Sequence, residues 1–268
     1  MCGYLHPAEW EAFNGQKIPE YYADESWGPP LDGTPVRHYD SWFPGESFGE
    51  LRPWVPNPDN VKDFYDQGVS YDNNVAISGG NDQTVFRLSY TNSANKGVYP
   101  ESRLNRNTLN VNATQKLGTK LEATINGTYV NTRGVGRPAI GYGGFGDAIN
   151  VQANFNQWFQ RQLDIDRLKN YANPDGSSRS WNIRAPNDLR SLYWESPYWV
   201  INRDRGRDNR DRVFGNLSLK YDVMPGLSIT GSARTDYYNF EVNDRLGARS
   251  AANIAYAEQR IQWSVALL

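Results

Sequence analysis

Long stretches of this chain alternate apolar and polar residues with period two, and such a chain folds into strands that each present one apolar face. Val75, Ile77 and Gly79 alternate with Asn74, Ala76 and Ser78, and Phe86, Leu88 and Tyr90 with Val85, Arg87 and Ser89. The pattern continues through Leu109, Val111 and Ala113, and through Leu121, Ala123, Ile125, Gly127 and Tyr129. It resumes at Val213, Gly215, Leu217, Leu219 and Tyr221, and again at Leu227, Ile229, Gly231, Ala233 and Tyr237. This predicts six strands, with a further candidate around Ile254–Val265. Segments 105–116, 121–131, 211–222 and 227–238 reach the ~9–11 residues that cross a bilayer when tilted, whereas soluble strands usually have ~5–6.

The connections alternate as regularly as the side chains. They read as tight at 80–84, longer at 91–104, tight at 117–120, very long at 131–211, tight at 222–226 and long again from 241. In an antiparallel series this collects the tight turns at one end of the sheet and the large loops at the other, the asymmetry of outer-membrane barrels. An excursion as long as 131–211 lies far outside ordinary hairpin lengths and implies a functional loop or inserted subdomain.

The faces decide between a barrel wall and a soluble β-sandwich, which is also built from alternating strands. Gly127, Gly215, Gly231, Ala113, Ala123 and Ala233 make the apolar faces small in volume, adequate against lipid and poor as an interdigitating core. Tyr90, Tyr129, Tyr221 and Tyr237 fall at strand ends in line with those faces, as an interfacial girdle requires. Arg87, Glu122, Lys220, Arg234 and Asp236 fall on the opposite face, predicted to line water.

Composition removes other classes. No stretch approaches the ~18 consecutive apolar residues of a membrane-spanning helix, and the opening residues do not read as a signal peptide. With 28 Lys+Arg against 30 Asp+Glu the chain has no basic excess for nucleic acid. One cysteine, Cys2, excludes a disulfide framework, and with His6 and His38 it cannot complete a tetrahedral N/S metal set. Nine of the fifteen prolines and four of the nine tryptophans lie in residues 1–60, which read as a long structured loop.

At this point specific residues carry a resemblance. The run Glu25-Ser26-Trp27-Gly28-Pro29-Pro30-Leu31-Asp32-Gly33, then Val75-Ala76-Ile77-Ser78-Gly79-Gly80 and Phe86-Arg87-Leu88-Ser89-Tyr90-Thr91, resembles the SusC/RagA family of TonB-linked outer-membrane transporters. So do Lys96-Gly97-Val98-Tyr99-Pro100, Leu104-Asn105-Arg106-Asn107, Ser180-Trp181-Asn182, Ser196-Pro197-Tyr198-Trp199 and Arg210-Asp211-Arg212-Val213-Phe214-Gly215, in family order over about 24–245. The resemblance implies a plugged barrel of the 22-stranded class in the outer membrane of a Bacteroidetes-type bacterium. Such proteins import oligosaccharides or peptides, driven by TonB, under a SusD-like lipoprotein lid. The TonB-contacting segment, the plug and most strands of the family have no counterpart here, so the chain is expected to be an internal fragment that neither inserts nor transports alone.

The expected fold is all-β: antiparallel up-and-down strands forming an open part of a large transmembrane β-barrel, with long extracellular loops and one short loop helix. Residues 1–72 would be loop, 73–131 about four strands, 132–210 a long loop with a helix near 147–171, and 211–268 two to three strands. The alternative is a secreted β-sandwich that binds carbohydrate. No cofactor is expected; the partners implied are the lipoprotein, TonB, the substrate and outer-membrane lipids.

No catalytic constellation emerges. Gly141-Tyr142-Gly143-Gly144-Phe145-Gly146 fits a dinucleotide fingerprint, but no strand ends at its first glycine, so a flexible loop start is the better reading. Asp204, Asp208 and Asp211 alternate with Arg203, Arg205, Arg207, Arg210 and Arg212. Acids alone would suggest Ca²⁺ or a carboxylate pair; mixed signs favour a mutually paired, solvated segment. The lead to a ligand is aromatic, since eight of nine tryptophans lie in the two long loops. Trp181, Trp194, Tyr198 and Trp199 are the loop candidates for sugar stacking, and such rings equally suit the cores of large ordered loops.

Overall fold

In the computed structural model, residues 13, 15–21, 23–25, 28–141, 150–245, 247, 250 and 260–267 are described. In chain order the elements are β1 (Pro35–Val36), β2 (Arg52–Pro53), β3 (Val69–Gly80), β4 (Thr84–Lys96), β5 (Arg103–Leu117), β6 (Leu121–Val135), α1 (Val151–Gln157), β7 (Ile183–Ala185) and β8 (Asp188–Ser191). They continue with α2 (Pro197–Arg203), β9 (Arg205–Met224), β10 (Leu227–Arg245) and β11 (Arg260–Leu267). The chain divides into a loop unit, residues 1–66, 138–205 and 245–260, and a sheet unit, residues 67–137, 206–244 and 261–268.

The sheet unit is a seven-stranded sheet in the order β11-β10-β9-β6-β5-β4-β3, with β3 and β11 as open edges. Each of the six predicted strands is present and longer than its alternating core, because ladder pairing continues into polar sequence: Val69 pairs with Lys96 and Val135 with Arg207. The tight turns 81–83, 118–120 and 225–226 share one end; 97–102 and 136–204 share the other. Gly118 and Gly226 take positive φ, 80° and 83°, at the tight turns, conformations open to glycine without a Cβ penalty.

Register turns the sequence alternation into continuous rows. Ile77, Leu88, Val111, Gly127 and Gly215 lie directly opposite one another across five strands, flanked by Val75-Tyr90-Leu109-Tyr129-Val213 on one side and Gly79-Phe86-Ala113-Ile125-Leu217 on the other. Hydroxyl contact between Ser218 and Ser232 at 3.0 Å shows that β10 keeps the same facing. The opposite face carries Ser78-Arg87-Asn112-Asn126-Asn216, where the Asn126 amide donates to Asn216 at 3.3 Å.

The loop unit has what the sheet lacks, a packed interior. Phe43, Phe159, Leu168, Trp181, Ile183 and Trp199 are at most 2% exposed. Phe155 meets Phe159 edge to face at 4.8 Å, and Phe159 meets Trp181 at 5.6 Å. The two loops that the sequence presents separately are one body. The Asn57 N–H donates to the Arg161 carbonyl at 2.7 Å, the Asn60 amide to Leu163 at 3.0 Å, and the Asn182 amide to Tyr21 at 3.1 Å.

The helix expected near 147–171 is seven residues, Val151–Gln157. The Asn150 side chain caps it, accepting from the Ala153 N–H at 3.0 Å. It stops at Trp158, and the next segment turns instead, with the Asp164 carboxylate accepting the Asp166 N–H at 2.9 Å. Asn154, Asn156, Asp164 and Asp166 are poor helix formers that compete for backbone groups. Residues 142–149, including most of the Gly-rich motif, lie outside the described residues.

Gly127 and Gly215 test the register. A Cβ on Gly127 meets open space, whereas one on Gly215 would sit 2.2 Å from the Asn126 carbonyl oxygen and 3.0 Å from the Gly127 Cα. We expect Gly215→Ala to cost on the order of 2 kcal/mol by forcing backbone apart and to speed amide exchange along β6 and β9, while Gly127→Ala leaves exchange unchanged. Equal effects of the two would contradict this register.

Candidate functional site

Two features invite a functional reading: the aromatic interior of the loop unit and the two-faced sheet. Of the four loop aromatics picked from sequence, Trp181, Trp194 and Trp199 are buried at 2%, 3% and 1% exposure. Their faces are taken by their own unit. Trp181 packs on Phe159, the Trp194 indole N–H donates to Asp24 at 2.8 Å, and Tyr171 meets Trp199 at 6.3 Å. Tyr198 is half-buried against Phe64, 5.5 Å between ring centroids, and burial raises its phenol above the ordinary range. In this conformation the three tryptophans form loop interior and leave no ring face open to a sugar.

Charged groups tie that interior together. Asp40 is buried and paired with Arg52 and, at 3.1 Å, with Arg167; Glu50 joins both arginines, meeting the other terminal nitrogen of Arg52 at 2.8 Å and the same Nη1 of Arg167 at 3.3 Å. Burial alone would raise the Asp40 carboxyl, but hydrogen bonds and charge from Arg52 and then Arg167 outweigh it and hold the group below its usual range. Removing one partner of such a pair typically costs ~3–5 kcal/mol because the other charge is left buried.

The three aspartates of the Arg/Asp segment do not form one cluster: Asp204 ends α2 before β9 begins, and strand alternation puts Asp208 and Asp211 on opposite faces. Asp208 pairs with Arg137, whose Nη2 lies 3.0 Å from Oδ2. Asp211, on the apolar-facing side, accepts from the Tyr129 hydroxyl at 2.6 Å and the Asn131 amide at 2.8 Å. Arg212 pairs with Asp236 on the polar face, its Nε 2.8 Å from Oδ1. The pairing is therefore cross-strand, a correction to the mutually paired segment read from sequence spacing. Among the described residues no group of three or more His, Cys, Asp or Glu side chains is placed to hold a metal.

The sheet face is the unusual chemistry. Val75, Ile77 and Ile229 are 66%, 62% and 63% exposed, and Phe86, Leu88, Ile125, Leu217 and Leu219 are exposed with them. Five strands at ~4.8 Å spacing and five residues' rise give a continuous apolar surface of about 400 Å² on the three central rows alone; monomeric soluble proteins rarely expose patches beyond a few hundred Å². The band ends in an amide ladder on the same face, Asn73-Asn92-Asn107-Asn131-Asp211. Tyrosines bridge the two zones: the Tyr90 hydroxyl donates to Asn107 at 2.7 Å, and the Asn92 amide reaches the same oxygen at 2.9 Å. Sequence reading placed the tyrosines but missed the ladder, whose only sequence signal is Asn recurring in phase with the apolar set one step beyond it.

The chain matches no protein-family model and no curated protein. What fold and surface define is an antiparallel all-β chain with an unclosed, two-faced sheet and a separate loop unit.

One carboxyl of the loop unit titrates far from its usual place. Burial pushes Asp204 up to about 8, with the nearby Glu195 charge adding to it; the Gly247 N–H, 2.6 Å from Oδ1, and Trp199 offset part. An unfolded Asp titrates near 3.9, so between about pH 4 and pH 8 the folded chain keeps a proton the unfolded chain has released. Stability therefore falls as pH rises through that window. We expect Asp204→Asn to remove this part of the slope: urea midpoints from tryptophan fluorescence in detergent micelles should coincide with the parent near pH 4 and exceed it at pH 8. A parent that holds its midpoint against the variant at pH 8 contradicts the assignment.

Proposed function

We propose that this chain is a wall segment of an outer-membrane β-barrel transporter of the SusC/RagA type, with the loop unit at the extracellular end. The observation that carries the reading is the continuous apolar band, exposed on one sheet face and closed off by tyrosines and an amide ladder. Along β9 the outward set runs Val213, Gly215, Leu217, Leu219, Tyr221, Val223. Ten residues' rise is ~34 Å, and a tilt of ~40° leaves about 26 Å across the bilayer, near the ~25 Å apolar band of such barrels. The amide and hydroxyl rows of the other face suit a water-filled lumen. The open edges at β3 and β11 suit a sheet continued by further strands.

In this reading the chain has no catalytic role. The complete barrel imports oligosaccharides or peptides, takes substrate from a SusD-like lipoprotein at the loop end, and is driven by TonB through a plug that other parts of the protein supply. Support for the family comes from the residue blocks quoted above, and support for the membrane from the surface.

Two substitutions on neighbouring residues separate the faces. Val111→Arg, in the middle of the band, should lower the folded, vesicle-bound fraction by about 2–4 kcal/mol, whereas Asn112→Arg on the opposite face should leave it nearly unchanged. A parent chain that is monomeric and unfolds cooperatively in water without detergent or lipid would sink the reading in favour of a soluble carbohydrate-binding sandwich.

A further inference from the structure

Beyond the amide ladder, the apolar-facing side of the sheet turns basic. The next row on that face is Tyr71-Ala94-Asn105-Arg133-Asn209, and the one after it Val69-Lys96-Arg103-Val135-Arg207. Lys96, Arg103, Arg133 and Arg207 are all exposed. The same rows of the opposite face mix signs, with Arg106 and Arg210 beside Asp72 and Asp208, and Asp244 of β10 beside Gly206. Two arginines on that side have acid partners, Arg212 with Asp236 one row nearer the apolar band and Arg137 with Asp208, and Arg210 lies over the Tyr238 ring. Acids on the basic side are few: Asp211, engaged by Tyr129 and Asn131; Glu101, 3.9 Å from Arg103; and Glu241 of β10. Among the described residues the other end of the apolar band has no such belt, since Lys116, Lys220 and Asp222 fall on the polar face.

Resting on the membrane-wall reading, we propose that Arg103, Arg133 and Arg207, with Lys96, form a docking belt for phosphate-bearing lipid headgroups at the loop-side edge of the bilayer. The zonation along the strand has the order a lipid monolayer has: hydrocarbon contact, tyrosine, neutral hydrogen-bonding amides, then cations. Arg133 is four residues beyond Tyr129, ~13 Å along the strand and about 9 Å in height at ~45° tilt, just past the headgroup layer flanking the hydrocarbon core. Its side chain, and those of Arg103 and Arg207 one row higher, reach back toward that layer as long cationic side chains do. Guanidinium forks bind phosphate oxygens bidentately, and the adjacent Asn and Tyr groups supply neutral donors to the same headgroup. The belt follows the sheet across β4, β5, β6 and β9, so it fits a row of lipid headgroups along a wall better than a single soluble anion.

The test is flotation of the full chain with vesicles of phosphatidylcholine alone and of phosphatidylcholine mixed with phosphatidylglycerol. The parent should prefer the anionic vesicles, and the preference should shrink as ionic strength rises. The triple variant R103Q/R133Q/R207Q should lose about fivefold of that preference per arginine, of the order of a hundredfold in all, while still binding phosphatidylcholine. The charge-matched triple R87Q/R106Q/R234Q, on the opposite face, should keep it. Equal loss in both triples, or equal binding of the parent to the two vesicle types, overturns the belt and leaves the wall reading standing. Flotation needs only adsorption of the exposed apolar band to lipid, not insertion, so a parent that floats with neither vesicle overturns the wall reading, and the belt with it.

Discussion

The structure depends on cross-strand register. Slipping one strand by a single residue would send its apolar set to the polar face, so the rows through Val111 and through Asn112 exist only because every pair from β3 to β9 keeps the same phase. Among the described residues nothing on the apolar side of the sheet buries those side chains in a core of its own. The ladder hydrogen bonds and the direct neighbours within each row therefore hold the sheet, and its remaining stabilisation must come from whatever solvates the apolar face. That requirement links fold to function more tightly than any single residue does.

The loop unit is built on the opposite principle. Its backbone is irregular, with two short helices and two-stranded ribbons, so its stability comes from aromatic side chains packed to near-zero exposure and from a buried Asp40-Arg52-Arg167 network. Carboxyls in this unit then behave in opposite ways. Two cations hold Asp40 low, whereas burial, with the Glu195 charge adding to it, pushes Asp204 high. The same unit therefore contains one group that stabilises it on ionising and one that stabilises it by staying protonated.

The sheet was legible in the sequence because period two is a local signal: Phe86-Arg87-Leu88 names its faces without reference to any other strand. The short and long connections were legible for the same reason. The interior of the loop unit was not, because contacts such as Asn60 to Leu163 join residues a hundred positions apart with no periodicity to announce them. The tryptophans were ambiguous at sequence level for a physical reason: a ring that stacks on sugar and a ring that fills a core are the same residue, and only its neighbours decide. Asp204, Asp208 and Asp211 read as one cluster because spacing in sequence hides both the helix end that holds Asp204 and the alternation that separates Asp208 from Asp211.

The seam between β6 and β9 joins strands whose sequences are separated by the whole of 136–204, yet Val135 pairs with Arg207 and the Gly136 N–H donates to the Gly206 carbonyl at 3.0 Å. The hairpins on either side are local and form early by ordinary kinetics, but this seam carries the entropy of closing a very long loop. Near its middle Gly127 faces Gly215, so no side chains grip there. Any order already present in that loop shortens the search. Residues 136–204 therefore bear on assembly as well as on any ligand, because their length sets the entropy that pairing β6 with β9 must offset.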